Sequence, residues 1–191
     1  MRAHVLRRLR GQSGYSLIEL IVVLAIFLTV VTALTSLFAS GAKAELDANK
    51  RFQAQQNARL ALDKLRRELH CSNGITALDG SALPPPPATA TAIRVSLPGH
   101  CPGAGGTPIF VNYQMASAGT QRYELTRTVG SNTTTIADYF TSANAFQYTA
   151  QSTANRAILH VELPVNINPN EGWNDWALAD DIVLRNTLRA P

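Results

Sequence analysis

No acidic residue precedes Glu19, no formal charge occurs from Leu20 to Ala39, and no proline occurs between Tyr15 and Leu83. Cysteine appears only as Cys71 and Cys101. Each shortage removes a class of function. The "GAGG" stretch at Gly103 to Gly106 lacks the Gly-Lys-Ser/Thr that holds nucleotide phosphates. "GQSG" lacks the glycine that a nucleophile elbow requires two residues after Ser13, where Tyr15 stands instead. The four histidines, His4, His70, His100 and His160, form no catalytic pattern with the scattered carboxylates. The chain is not read as an enzyme, and no cofactor is expected. The net charge of +4 is also misleading. Arg2, Arg7, Arg8 and Arg10 precede Gly14, and without them 13 basic side chains face 13 acidic ones. A phosphate-binding surface needs cations clustered on a folded body, so strong nucleic-acid binding is not expected.

The uncharged segment from Leu20 to Ala39 is 20 residues long. At about 1.5 Å per residue it spans the roughly 30 Å of bilayer hydrocarbon. The arginines before it stay cytoplasmic by the positive-inside tendency, which sends everything after Ser40 to the exported side. A secretory signal peptide would have a shorter apolar region followed by a small-residue cleavage site. "TALTSLFASGAKA" offers an A-S-G-like site around Ala39 to Gly41, which keeps that alternative open. Glu19 is the anomaly, because an ionised carboxylate in hydrocarbon costs about 2.5 to 3.5 kcal/mol. The first helical turn would favour an anion through the helix dipole. A partner cation would answer the same need.

"SGYSLIELIVVLAIF" resembles the class III leader junction of type IV pilins and pseudopilins. It has a short basic leader, Gly14, the aromatic Tyr15, the hydroxyl residue Ser16, two aliphatics and Glu19, followed by an unbroken apolar run. The resemblance implies that a prepilin peptidase and methylase cuts between Gly14 and Tyr15 and methylates the new amino terminus of Tyr15. It also implies that Glu19 associates with the free amine of a neighbouring pilin subunit during assembly on an inner-membrane platform. Amine and carboxylate are each costly in a dry bundle unless paired, so pairing between subunits would set their registry. Many major pilins carry a proline midway through this run. Its absence implies a straighter helix with Gly41 as the soft point, and leans toward a minor pilin or pseudopilin.

Past Gly41, "AKAELDANKRFQAQQNARLALDKLRRELH" has no glycine or proline and is rich in helix formers. Ala58, Ala61, Leu62, Leu65 and Leu69 recur at helical spacing, while Ala44, Ala48 and Phe52 make a thinner stripe. A continuous helix from Tyr15 to Leu69 would be roughly 80 Å long. Arg66, Arg67 and His70 put positive or titratable groups in the last turn, the arginines reading as a solvated face, and "SNG" at Ser72 to Gly74 is expected to cap the end in a left-handed conformation. Beyond the extended "LPPPPATATA" the period becomes two: Ile93, Val95, Leu97; Ile109, Val111, Tyr113, Met115; Tyr123, Leu125; Leu159, Val161, Leu163. "ASAGTQ" reads as a hairpin turn and "DDIVLRNTL" as the last strand. "QQNARLALDKLRREL" and "VNYQMASAGTQRYELTRTV" resemble the corresponding regions of minor pilins and type II secretion pseudopilins. The expected class is α+β, a long helix spine packed on an antiparallel sheet. Its parts are a leader (1–14), a transmembrane and assembly helix (15–40), an amphipathic helix (41–71) and a proline-rich loop with sheet (72–191).

Cys71 and Cys101, an even pair on the exported side, read as a disulfide. The alternative is a zinc set of His70, Cys71, His100 and Cys101, which lacks the usual two-residue spacers. In 168–181, Asn170, Glu171, Asp175 and Asp180 could ligate calcium, against the simpler reading of a solvated acidic loop with Trp173 and Trp176 tucked onto the sheet or at a subunit contact. The functional expectation is a structural minor subunit of a type IV pilus-like or pseudopilus filament. Its alternatives are a single-pass anchored adhesin or receptor, and a DNA-uptake pilin component.

Overall fold

The computed structural model describes residues 14–167 and 176–185. One helix, α1, runs Leu17–Cys71, and the chain divides into two compact units, one ending at Leu46 and the other beginning at Asp47.

In the first unit, every described side chain of α1 from Leu17 to Leu46 is exposed, including Leu17, Ile21, Leu24, Phe27, Leu34 and Phe38. A helix that is apolar all round and exposed among the described residues suits lipid or another helix as its surroundings. Its hydroxyls suit that environment because they turn back onto the helix. Thr29, Thr32, Ser36 and Ser40 donate to the carbonyls of Ile26, Leu28, Ala33 and Ser36 at 2.7, 2.7, 2.8 and 2.7 Å, leaving no donor unsatisfied in hydrocarbon. The helix continues through Gly41 without interruption.

In the second unit, Ala54, Ala58, Ala61, Leu62, Leu65 and Leu69 are buried in a stripe of three- and four-residue steps. Small residues come first and leucines later. The thin stripe of Ala44, Ala48 and Phe52 is exposed, and the core begins only at Ala54.

The sheet has eight antiparallel strands among the described residues: β1 (Gly74–Thr76), β2 (Ala92–Leu97), β3 (Ile109–Gly119), β4 (Arg122–Val129), β5 (Asn132–Phe140), β6 (Phe146–Thr149), β7 (Ile158–Val165) and β8 (Trp176–Val183). β1 to β5 pair in chain order. β7 takes β8 along one edge, while its other edge is shared by β6 and, at Val165, by β5. The period-two positions Ile93, Val95, Leu97, Val111, Tyr113, Met115, Leu125, Leu159, Val161 and Leu163 all point into the core beneath α1. The expected α+β architecture, a long helix packed on an antiparallel sheet, is the one observed.

Three local expectations need correction. Gly74 does not adopt a left-handed cap; it is already the first residue of β1. The helix ends instead on Ser72, whose hydroxyl and N–H both donate to Leu69 O at 2.8 and 3.2 Å, while Asn73 N–H passes to Ser96 O at 3.0 Å. A direct hand-off to a strand satisfies the end groups, so no reversing glycine is needed. The last strand begins at Trp176, earlier than its charged "DDIVL" core suggested. β5 and β6 were not anticipated, because "NTTTIADYF" bends at two register shifts against β4 and loses strict alternation.

Leu65 is fully buried at the centre of the helix contact. Leu65→Ala should lower the stability of the second unit by about 2 to 5 kcal/mol, measured as the shift in denaturant midpoint of tryptophan fluorescence for the full chain in detergent. A change below about 0.5 kcal/mol would contradict this packing.

Candidate functional site

Gly14, Tyr15 and Ser16 precede the helix in non-helical backbone, and Tyr15 is 89% exposed. The Gly14–Tyr15 peptide is therefore presented outside regular structure, as a protease requires of a substrate bond. Ser16 is the N-cap: its carbonyl accepts the first helical bond from Leu20 N–H at 3.2 Å. Glu19 is three residues on, and its Oε2 accepts from Ser16 N–H at 3.1 Å. This is the carboxylate half of a capping box. The signal was present in the sequence as "SLIE", a Ser-x-x-Glu directly before an apolar run, and Ser16 belongs with Gly14, Tyr15 and Glu19 for that reason. Glu19 thus holds its position by satisfying an orphan N–H of its own helix. Among the described residues its Oε1 accepts no hydrogen bond.

A second cluster is buried in the other unit. Glu68 lies on the core face of α1 at 4% exposure. Its Oε2 accepts from Tyr113 Oη at 2.6 Å, and its Oε1 from Arg127 at 2.9 Å (Nη2) and 3.1 Å (Nε). Burial first, then the adjacent carboxylate, push the Tyr113 phenol far above its ordinary value of 10.0. Burial works against the Arg127 charge, but the hydrogen bond and charge of Glu68 outweigh it and raise its pKa. The loop between β2 and β3 covers this cluster. A Cβ on Gly103, which has φ +86°, would lie 3.4 Å from Arg127 Nη2 and 3.6 Å from Glu68 Oε1.

That loop is held by a disulfide between Cys71 and Cys101, with an S–S distance of 2.07 Å. Closing a loop of this length contributes up to about 3.5 kcal/mol by the chain-entropy estimate. The metal alternative draws on the same atoms, since Cys71, His100 and Cys101 offer ligand atoms within 4.8 Å of one another. The disulfide takes both thiolates, and His70 is directed elsewhere, its Nδ1 lying 3.0 Å from Val183 O. Arg66 is not merely part of a solvated face. Arg66 donates to Asp180 Oδ2 at 2.9 Å (Nε) and 2.7 Å (Nη2), so the helix flank clamps β8. Arg59 lies 5.7 Å from the Trp176 ring centroid, which places that tryptophan against the helix. Of the possible calcium ligands, Asp180 is committed to Arg66, while Asn170, Glu171 and Asp175, together with Trp173, lie outside the described residues. His160 Nδ1 and Asp181 Oδ1 are 2.7 Å apart on the opposite face of β7 and β8, with no role in the core.

The helix begins at a hydroxyl-capped, acid-bearing junction and ends packed on an antiparallel sheet. The family model described as the prokaryotic N-terminal methylation motif matches residues 9–35. The chain carries this class III prepilin leader, and the match supports a type IV pilin-like prepilin, a structural class rather than an enzymatic one. The motif implies processing by a prepilin peptidase and assembly with other pilins, and with the apolar helix it supports membrane anchoring. No curated protein and no solved structure matches the chain.

Two outcomes follow from the buried cluster and its loop. Alkylation of denatured, unreduced protein should leave its mass unchanged, whereas two added groups would contradict the disulfide. The folded state keeps the Tyr113 phenol neutral, while the unfolded chain ionises near 10.0. Its contribution to stability is therefore complete below that pH and is lost as pH rises above it. Tyr113→Phe should lower stability at neutral pH by about 1 to 3 kcal/mol. It should also flatten the decline in stability above pH 10 in denaturant titrations; a decline as steep as the wild type's would assign that titration to another group.

Proposed function

We propose that the protein is the precursor of a minor pilin or pseudopilin, cleaved between Gly14 and Tyr15, methylated on Tyr15, and built into a filament through the amino-terminal part of α1. The observation that carries this reading is the junction itself: an exposed, non-helical Gly14–Tyr15 bond, one residue before a capped helix whose first turn bears Glu19 and whose next 20 residues are uncharged.

Cleavage creates an amine at Tyr15. A cation at a helix amino terminus is opposed by the helix dipole, and in a dry bundle it carries a desolvation penalty as well. Glu19 carries the matching charge and, beside its bond to Ser16, has an oxygen to offer. Pairing that amine with Glu19 of a neighbouring subunit offsets both penalties and fixes the axial step between helices. The exposed apolar side chains from Leu17 to Phe38 supply the non-directional packing, first to lipid and then to neighbouring helices. The leader would remain cytoplasmic and the second unit would be exported, where the disulfide is chemically stable.

Intact mass and amino-terminal analysis of protein recovered from cells should give a chain beginning at methylated Tyr15; any other start would remove the amine on which the assembly step depends. Glu19→Ala should leave that processing intact but reduce recovery of the subunit in sheared filaments by an order of magnitude or so, since about 1.4 kcal/mol of lost pairing is already tenfold. Normal filament entry by this variant would refute the role given to Glu19.

A further inference from the structure

The helix covers one face of the sheet; the other face has an organisation that neither folding nor assembly explains. Thr76, Arg94, Asn112, Thr128 and Thr133 are successive cross-strand partners from β1 to β5 and form one row. Gly74, Ser96 and Phe110 form the adjacent row. These positions alternate with the buried Ile93, Val95, Val111 and Tyr113, so they point away from the core.

Three features of these rows converge. Phe110 is 64% exposed and, after α1, is the one large hydrophobic side chain exposed among the described residues. The Arg94 guanidinium carbon lies 5.9 Å from its ring centroid, and Arg94 Nε donates to Asn112 Oδ1 at 3.3 Å. Unlike Arg66 and Arg127, Arg94 has no carboxylate at ion-pair distance among the described residues. Asp79 feels its charge, but Asp79 Oδ1 already accepts from Ser81 N–H at 2.9 Å and from Ser81 Oγ at 2.7 Å. Position 74 carries no side chain, and a Cβ there would meet nothing within 4 Å. The space left open is a cavity of about 240 Å³ lined by Asn73, Gly74, Thr76, Arg94, Ser96 and Phe110.

The lining defines the ligand. A guanidinium with no carboxylate at ion-pair distance among the described residues, its Nε turned to Asn112, keeps its terminal N–H donors for a carboxylate. Beside it, an exposed aromatic face accepts the apolar C–H face of a ring, and hydroxyls and an amide complete the wall. The cavity is smaller than the roughly 300 to 1,000 Å³ typical of drug-sized ligands, a scale that suits a single ring. An acidic peptide would engage Arg94 but would leave Phe110 and the hydroxyl wall unused. We propose that this cavity binds a pyranose ring bearing a carboxylate, the uronic acid class of saccharide. Arg94 holds the carboxylate, Phe110 packs on the ring, and Asn73, Thr76 and Ser96 bond its hydroxyls. The neighbouring row of Asn112, Thr128 and Thr133 offers uncharged polar contacts to the next ring of an oligomer. Binding here is independent of filament entry, because no residue of the junction takes part.

The test is calorimetric titration of the full chain, held in a zwitterionic detergent without sugar headgroups, with trigalacturonate. Methyl-esterified trigalacturonate and triglutamate serve as comparators. Saturable binding of trigalacturonate is expected, with each comparator weaker by about tenfold or more, the scale of one charge-assisted hydrogen bond. Arg94→Gln, Phe110→Ala and Gly74→Leu, which fills the cavity while leaving residue 94 an arginine, should each weaken binding by a similar factor while leaving the circular dichroism spectrum unchanged. If Gly74→Leu fails to fold, the other two variants, both at exposed or half-exposed positions, decide the matter. The proposal is overturned by absent saturable binding, by equal affinity for triglutamate, or by unchanged affinity in Arg94→Gln or Phe110→Ala.

Discussion

A single buried carboxylate fixes how the helix and sheet of the second unit fit together. Glu68 interrupts a stripe otherwise built of alanine and leucine, and burial would make it strongly unfavourable if it stood alone. Arg127 from β4 and Tyr113 from β3 reach it together. A slip of the helix by one turn, or of the sheet by one residue, would strand the charge, and breaking such a pair costs about 3 to 5 kcal/mol. Apolar packing draws the helix onto the sheet without specifying a register. The Glu68 cluster supplies the register, and the Cys71–Cys101 loop closes over it, with Gly103 admitting the close approach.

The two parts of α1 follow opposite rules under one backbone geometry. From Ala54 to Leu69 a stripe is buried by the chain's own sheet. From Leu17 to Phe38 the apolar side chains are exposed among the described residues, and in the reading proposed above lipid and neighbouring helices would bury them. Charge placement follows the same division. The capping bond from Ser16 N–H to Glu19 sits at the very start of the first part, while Glu68, Arg66 and Asp180 are all satisfied within the second.

Much of this could be read from residue order. The uncharged run, the Gly14–Tyr15–Ser16–Glu19 junction, the helical stripe ending at Leu69 and the period-two strands are local patterns, and local patterns survive in sequence. β5 escaped because its two register shifts break the alternation, and the Ser72 cap escaped because a strand, rather than a glycine, receives the chain. The Arg66–Asp180 pair spans 114 residues, and no spacing rule connects them. Arg66 and His70 look like ordinary helix-end residues until β8 is placed against them.

By itself the sequence determined which segment is apolar enough to leave water and which residues carry the methylation motif, because both depend on runs of neighbouring residues. It also offered the two cysteines as a pair, though the choice between bond and metal waited on the Cys71–Cys101 bond itself and on His70 turning to Val183 O. The tertiary structure decided what the isolated polar residues do: Glu68 as a buried lock, Asp180 as the anchor of the last strand, and Arg94 beside Phe110 and the side-chain-free Gly74. These roles require groups far apart in the chain to come within hydrogen-bond or ring-contact distance, and only the pairing register of the sheet and its seat on the helix bring them there.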